Sequence, residues 1–286
     1  MITSLSKQAK AQFGDYFGID LFSIPRFDER LKKRKRNEAD LYMADIHAPF
    51  HHREYVAKTI RDNEDCQKVW ILGDIFDFYS RSFFRKKYDV SFAYEFREGW
   101  NVVCALANRF EEVNIMLTNH DQRHAKYIYD NVPKELLGFC AKNLVEALLG
   151  LIKNVRIRKQ KLNASKRHIE YLYQNGNVVF SHAELSASNV GLTVQKLEGL
   201  LQKWGGVYDL KPYDAIIQAH NHQSAKVRFG SKFLYQIPCL IDVNELAFDY
   251  VFNGKIMGNP PALGYVRAYK DASGKFDPIN SHITDY

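Results

Sequence analysis

The stretch "IMLTNHDQRH", Ile115 to His124, sets an apolar run, Ile115-Met116-Leu117, directly against Asn119-His120-Asp121, with Arg123 and His124 close behind. β-Forming residues that stop at a cluster of polar, titratable groups read as a buried strand delivering side chains to a site. A plain loop cap has the same appearance, so one such stretch decides nothing. The pattern gains weight through repetition. "LYMADIH" ends in Asp45-x-His47, "VWILGDIFD" in Gly73-Asp74 with Asp77 behind, "VVFSH" in His182, and "AIIQAHNH" in His220-x-His222. Five apolar runs therefore stop at residues drawn from Asp, Asn and His, which capping explains poorly.

Around these runs the chain alternates. "DLYMAD", "KVWILGD" and "EVNIML" read as short buried strands, while "EYVAKTIRDN" and "FAYEFREGWNVVCALANRF" carry helical spacing. A helical segment is expected from Pro133 to about Ile152, with Val145, Leu148, Leu149 and Ile152 on one stripe. The second half opens with β-pairing signals: "HIEYLYQNGNVVFSH" has Asn175-Gly176 between two β-rich runs, a hairpin signature. "LTVQKLEGLLQKW" is helical and is ended by Gly205-Gly206. "DAIIQAH" is another strand, "AKVRFGSKFLYQIP" gives two more about Gly230-Ser231, and "GNPPALGY" is a turn-rich approach to a final strand. Strands alternating with helices, then hairpins, indicate an α/β fold with a mixed sheet or two stacked sheets. Residues 1–37 read as a separate lead-in with weak helical character, a break at Pro25 and a basic run; residues 38–286 read as one domain.

Bulk properties set the frame. A chain of 286 residues, 46% hydrophobic and 26% charged, suits one large or two small globular domains. No apolar run approaches the roughly 18 residues needed to span a bilayer, so no membrane role is expected. The N-terminal stretch "MITSLSKQAKAQFGDYFGID" lacks the basic and apolar regions of a signal peptide. Cys66, Cys104, Cys140 and Cys239 form no CxxC pair, which argues against a disulfide framework or a thiolate zinc site and suits reduced thiols in a cytoplasmic protein. Lys plus Arg exceed Asp plus Glu by 40 to 33, a net charge of +7 that favours anionic partners. Much of it lies in "LKKRKR", Leu31 to Arg36, and in a second cluster from Lys153 through Arg156, Arg158, Lys159 and Lys161 to Lys166 and Arg167. Each could grip a phosphate backbone or be a solvated face.

The residue types at the strand ends suit a metal. Carboxylates, an amide carbonyl and imidazoles without thiolates fit Mn²⁺, Fe or Zn²⁺ and disfavour iron–sulfur chemistry. Asp45-x-His47 and His220-x-His222 can each turn two groups toward one cation, since i and i+2 share a side in extended backbone. Seven candidate ligands, Asp45, His47, Asp74, Asn119, His182, His220 and His222, are too many for one tetrahedral centre and suit two metals sharing a bridging carboxylate.

In this order the five blocks resemble the calcineurin-like metallophosphoesterase family over roughly Leu41 to His222. "DIHAPFHH" and "LGDIFDFYSRSFF" are similar to phosphoesterases of phage and bacterial type. The resemblance implies a four-layer α/β/β/α sandwich with two divalent metal ions at the strand ends, manganese favoured over iron and zinc. It implies Asp45, His47 and His222 on one metal, Asn119, His182 and His220 on the other, and Asp74 bridging. It implies His120 beside the leaving-group oxygen as general acid or electrostatic stabiliser, Arg123 within reach of a phosphate oxygen, and Asp77 as support behind the ligands. The family usually has glycine before the Asn-His pair and before the later histidines; here Thr118, Ser181 and Ala219 stand there.

The reaction implied is in-line hydrolysis of a phosphoester. The positive balance favours a nucleic-acid or nucleotide phosphodiester over a phosphomonoester or phosphoprotein. Tyr171 and Tyr173 could stack on bases, but hairpin packing is the plainer expectation. Two other classes stay open: a non-catalytic interaction module kept for its metal-stabilised fold, and a nucleic-acid binder working through its N-terminal segment. His51, His52 and His124 are expected as exposed loop histidines, and oligomeric state is left open.

Overall fold

Apolar central strands flanked by partly exposed outer strands build two sheets. The computed structural model describes residues 7–34, 38–83, 86, 89–137, 144–159, 169–185, 187, 189–242, 244–245 and 261–286. In the first half lie β1 (Ala39–Met43), β2 (Lys68–Ile71), β3 (Glu112–Ile115) and β4 (Val155–Ile157), all parallel. The chain closes with β10 (Gly264–Tyr269), antiparallel to β1, and β11 (His282–Asp285), giving a six-stranded sheet ordered β11-β10-β1-β2-β3-β4. The second sheet has five strands, β5 (Leu172–Asn175), β6 (Val178–Ser181), β7 (Ala215–Gln218), β8 (Ala225–Phe229) and β9 (Lys232–Gln236), in the order β5-β6-β7-β9-β8. β6, β7 and β9 run parallel, and hairpins at Asn175-Gly176 and Gly230-Ser231 attach the two outer strands.

Each buried strand sends alternate side chains to opposite layers. Leu41, Met43, Val69, Ile71, Val113 and Ile115 pack outward, under α1 (Lys7–Phe17), α2 (Arg53–Asp62), α3 (Phe92–Arg109) and α5 (Leu144–Leu149). Tyr42, Trp70, Leu72 and Met116 point the other way and meet Phe180, Ile217 and Tyr235 of the second sheet. Val179, Ile216 and Leu234 face the far side, where α6 (Leu192–Trp204) covers them with Val194, Leu197 and Leu201. The three cores define the four-layer α/β/β/α sandwich. Phe17 of α1 packs 4.8 Å from the Phe96 ring of α3, so the helix over residues 7–17 joins the outer core.

The local signals worked where periodicity was long. Ser91 Oγ caps α3 by accepting the Tyr94 N–H at 3.2 Å, and Gly205 follows the last turn of α6. The helix expected over 133–152 is shorter: Lys134–Leu136 form a single 3-10 turn, the described helix runs only over α5, and Val145, Leu148, Leu149 and Ile152 are buried as the stripe requires. A further helix, α4 (Arg123–Asn131), arises where only a polar cluster was visible. Among the described residues no helix is long and apolar enough to cross a membrane. Cys66, Cys104 and Cys239 are free thiols, while Cys140 lies outside the described residues.

Candidate metal centre

Parallel neighbours end side by side, so the residues just past β1, β2 and β3 form one row, and those past β6 and β7 form another. The two rows meet across the sandwich: Asp45 Oδ1 lies 3.7 Å from His182 Nε2 and 3.3 Å from His222 Nε2. All seven sequence-predicted ligands are described, and the six titratable ones fall into two compact groups, Asp45 with His47 and His222, and Asp74 with His182 and His220. Asn119, which follows β3, has its amide Oδ1 buried without a hydrogen-bond partner.

The backbone is bent to make this convergence. Asp45 (φ 51°), His47 (51°), Asp74 (52°), His220 (79°) and His222 (55°) all adopt left-handed conformations. Each costs a side-chain-bearing residue about 1 kcal/mol or more. Five such residues at one locus, all candidate ligands, mark a place where the surrounding fold over-determines the geometry.

Asp74 is the hinge between the groups. Its Oδ2 stands 3.0 Å from His182 Nε2, 3.6 Å from His47 Nε2 and 3.9 Å from His120 Nε2. The imidazole tautomers are set from behind. His182 Nδ1 is 2.7 Å from the Leu72 carbonyl and His47 Nδ1 is 2.8 Å from Asp77 Oδ2, so both donate through Nδ1 and turn Nε2 inward. Asp45 Oδ1 and His47 Nε2 are buried and make no hydrogen bond. Inward-facing nitrogen and oxygen donors left unpaired in a buried site are what a divalent cation completes, and the donor set fits one.

Two further carboxylates organise the rim. Asp77 holds His47, lies 3.2 Å from His120 Nδ1 and takes Arg123 Nη1 at 3.0 Å. Arg123 also donates to the Asp77 carbonyl at 2.9 Å and approaches His120 Nε2 at 3.0 Å, so the guanidinium, His120 and Asp77 form one unit. Asp121 was not singled out from the sequence. Its carboxylate accepts the backbone N–H of Asp74 (2.9 Å), Phe76 (3.0 Å) and Thr118 (3.0 Å), tying the loop after β2 to the loop after β3. The only sequence sign of it was its place beside Asn119-His120.

The charges follow from this packing. Burial opposes ionisation of Asp45, but the imidazoles of His182 and His222 hold its carboxyl well below the usual range; Asp74 behaves alike through His182 and His120. Against burial, Asp45 and Asp77 raise His47 to about 10, and Asp74 and Asp45 raise His182 to about 9. Burial lowers His220 to about 4 and brings His120 below its ordinary value. Burial, aided by the charge of Asp74, pushes Asp121 up to about 7.

Several expectations near the site are corrected. His51 and His124 are buried rather than exposed: His51 bridges to Ile241, and His124 turns inward from α4 to stack 4.5 Å from the Phe92 ring. His52 caps α2, its Nδ1 accepting the Tyr55 N–H at 3.4 Å. Tyr171 is buried and Tyr173 packs 5.8 Å from Trp70, which is the hairpin packing expected of them. In the second basic cluster, Arg158 is engaged with Asn114 Oδ1 (2.7 Å) and Glu112 (3.1 Å), and residues 160–168 lie outside those described. Of the first basic run, Lys32 and Lys33 are exposed, and residues 35–37 likewise lie outside.

No protein-family model matches the chain, and no curated protein matches it. Among solved structures it is similar to an archaeal phosphodiesterase, at 12% identity over 86% of this chain and 99% of that one, with a TM-score of 0.38. It is similar to a hypothetical protein from Pyrococcus horikoshii OT3, at 14% identity over 87% and 86% of the two chains, TM-score 0.44. It is also similar to wild-type Vps29 complexed with zinc from Entamoeba histolytica, at 12% identity over 86% and 98%, TM-score 0.36. By its own four layers and the place of each ligand block, the chain resembles the calcineurin-like metallophosphoesterases.

Proposed function

We propose that the protein is a divalent-metal-dependent phosphoester hydrolase of the calcineurin-like type, acting on a phosphodiester of a nucleic acid or nucleotide. One observation carries this: buried and half-buried donors from the ends of both sheets converge on Asp45 and Asp74, with unpaired buried atoms of Asp45, His47 and Asn119 among them. Asp45, His47 and His222 would hold one cation, Asn119, His182 and His220 a second, and Asp74 would serve both. Cations held there supply charge neutralisation at a phosphate and a nucleophile at neutral pH. The rest falls to the chain. His120 Nδ1 lies 3.2 Å from Asp77 Oδ2, and Nε2 faces the Arg123 Nη2 donor at 3.0 Å. Nε2 would take up a proton from solvent as Arg123 turns from it to a phosphate oxygen, and pass that proton to the departing alkoxide. Asp77 then faces the ring that has lost its proton and orients its return. Arg123, whose Nη2 lies 3.0 Å from His120 Nε2, would offer its fixed positive charge to a phosphate oxygen bound beside it.

The preference for a diester with bases rests on the surface beside this rim. The 3-10 turn Tyr79–Arg81 and α4 both spring from site loops. Phe83 there is 73% exposed with Lys126 Nζ 5.4 Å from its ring, an aromatic and cationic pairing suited to a stacked base and its phosphate. The net charge of +7 acts in the same direction.

The test is hydrolysis of bis-p-nitrophenyl phosphate against p-nitrophenyl phosphate in Mn²⁺, alongside elemental analysis of the protein. Metal-dependent turnover of the diester, removed by a chelator, is the expected result. Turnover of the monoester alone moves the substrate class to phosphomonoesters. Bound cations with no turnover of either ester make the chain a metal-stabilised interaction module.

A further inference from the structure

Thr118 stands where the resembling family carries glycine, and the structure gives its side chain a use. It is fully buried. Its Oγ1 lies 2.6 Å from Asp74 Oδ1 and 2.9 Å from the Asp74 backbone nitrogen. The N–H can only donate, so the hydroxyl accepts from it and spends its single proton elsewhere. Asp74 Oδ1 at 2.6 Å takes that proton in preference to Asp121 Oδ2 at 3.4 Å. The His120 N–H adds a second donor to the same Oδ1 at 3.2 Å. One oxygen of Asp74 is thereby committed to protein donors, and the other, Oδ2, faces His182, His47 and His120.

We infer that Thr118 is a positioning residue for the metal centre: its hydroxyl fixes the carboxylate plane of Asp74 and selects Oδ2 as the oxygen offered to the cations. The inference rests on the metal-binding reading of the site and adds a role within it for a residue that a glycine could not fill. The neighbourhood is shaped to match. Gly73 has φ 105°, and a Cβ there would collide with the Thr118 side chain and come within 2.7 Å of His182 Nδ1. The glycine that the fold keeps at residue 73 makes the space that the threonine at 118 fills. Asp121 closes the arrangement by accepting the backbone N–H groups of both Asp74 and Thr118, so the hydroxyl approaches Asp74 from a fixed base.

Three variants test this by calorimetric titration of the apo protein with Mn²⁺. Thr118→Val keeps the shape and removes the hydroxyl; its affinity should fall about 10- to 100-fold, the range seen when a group that orients a metal ligand is lost. Losing a buried hydroxyl also lowers the midpoint of thermal unfolding of the apo variant, so that midpoint is measured in parallel and the titration is run below it, where the affinity is read on folded protein. Thr118→Ser restores the donor and should recover most of the affinity. Should Thr118→Val fail to fold, Thr118→Ala provides the same readout. Wild-type affinity in the valine and alanine variants overturns the role given to Thr118. Failure of the wild type itself to bind Mn²⁺ overturns instead the metal-centre reading beneath it.

Discussion

The two sheets contribute to the centre in different ways. The first sends Asp45, His47, Asp74 and Asn119, and its donors are wired by side chains: Asp77 behind His47, Thr118 on Asp74, Asp121 across two loops. The second sends three imidazoles that lean on backbone. His182 is fixed by the Leu72 carbonyl, and the His220 N–H is donated to Asp45 Oδ2 at 3.0 Å, while left-handed backbone aims His220 and His222 as it aims Asp45, His47 and Asp74 on the other side. The oxygen-rich side is therefore a network, in which one change propagates. The imidazole side is a set of separate posts.

That contrast predicts unequal damage. Asp74→Asn removes the carboxylate shared by both groups and should empty both positions, with turnover falling by more than the roughly 100-fold upper end for outer supports. His222→Ala removes one post and should leave about one cation per chain by elemental analysis. Equal loss of metal in the two variants would break the contrast. His120→Ala probes the wired side without touching a proposed ligand. Turnover should fall about 10²- to 10⁴-fold, as expected for loss of a general acid, while metal content stays at the wild-type level. Metal loss in that variant would move His120 from proton transfer into the ligand set.

How much of this was legible depends on the range of each interaction. Strands β1, β2, β3, β6 and β7 could be read because each is an apolar run ended by an abrupt polar block, and the blocks in order gave the seven candidate ligands. α4 could not be read, because His124 is its one buried side chain and no apolar stripe forms. β4 and β11 are short edge strands with charged or polar residues, which is how sheet edges are kept from pairing and also why they look like loop. His51 and His124 were misplaced because their burial is imposed by partners, Ile241 and Phe92, far away in sequence. Asp121 was overlooked for the same reason. Its donors at Asp74 and Phe76 belong to another strand's loop, and a carboxylate that holds backbone looks like any other in a polar cluster. Thr118 appeared only as a departure from glycine, since its bond to Asp74 spans 44 residues.

The smallest effect lies under the wired side, at Glu95 on α3. Its carboxylate accepts the Ser80 N–H at 3.1 Å and the Ser80 hydroxyl at 2.5 Å, steadying the turn that follows Asp77. Burial, with the charge of Asp77 adding to it, raises Glu95 from 4.5 to about 7, despite the Ser80 bonds. A carboxyl raised on folding binds its proton more tightly in the native state than in the unfolded chain. Its contribution to stability is therefore full below pH 4.5, declines as pH rises through about 7, and is flat above. The ceiling set by that shift is about 3 kcal/mol, and about 2 kcal/mol is a fair expectation after relaxation around the charge. Glu95→Gln keeps the shape and cannot ionise, so in urea unfolding the variant should gain on the wild type by about 2 kcal/mol between pH 4.5 and pH 8. A gap between the two that does not change with pH would mean that Glu95 is already ionised in its buried place, with the Ser80 donors and not protonation supporting the Asp77 loop.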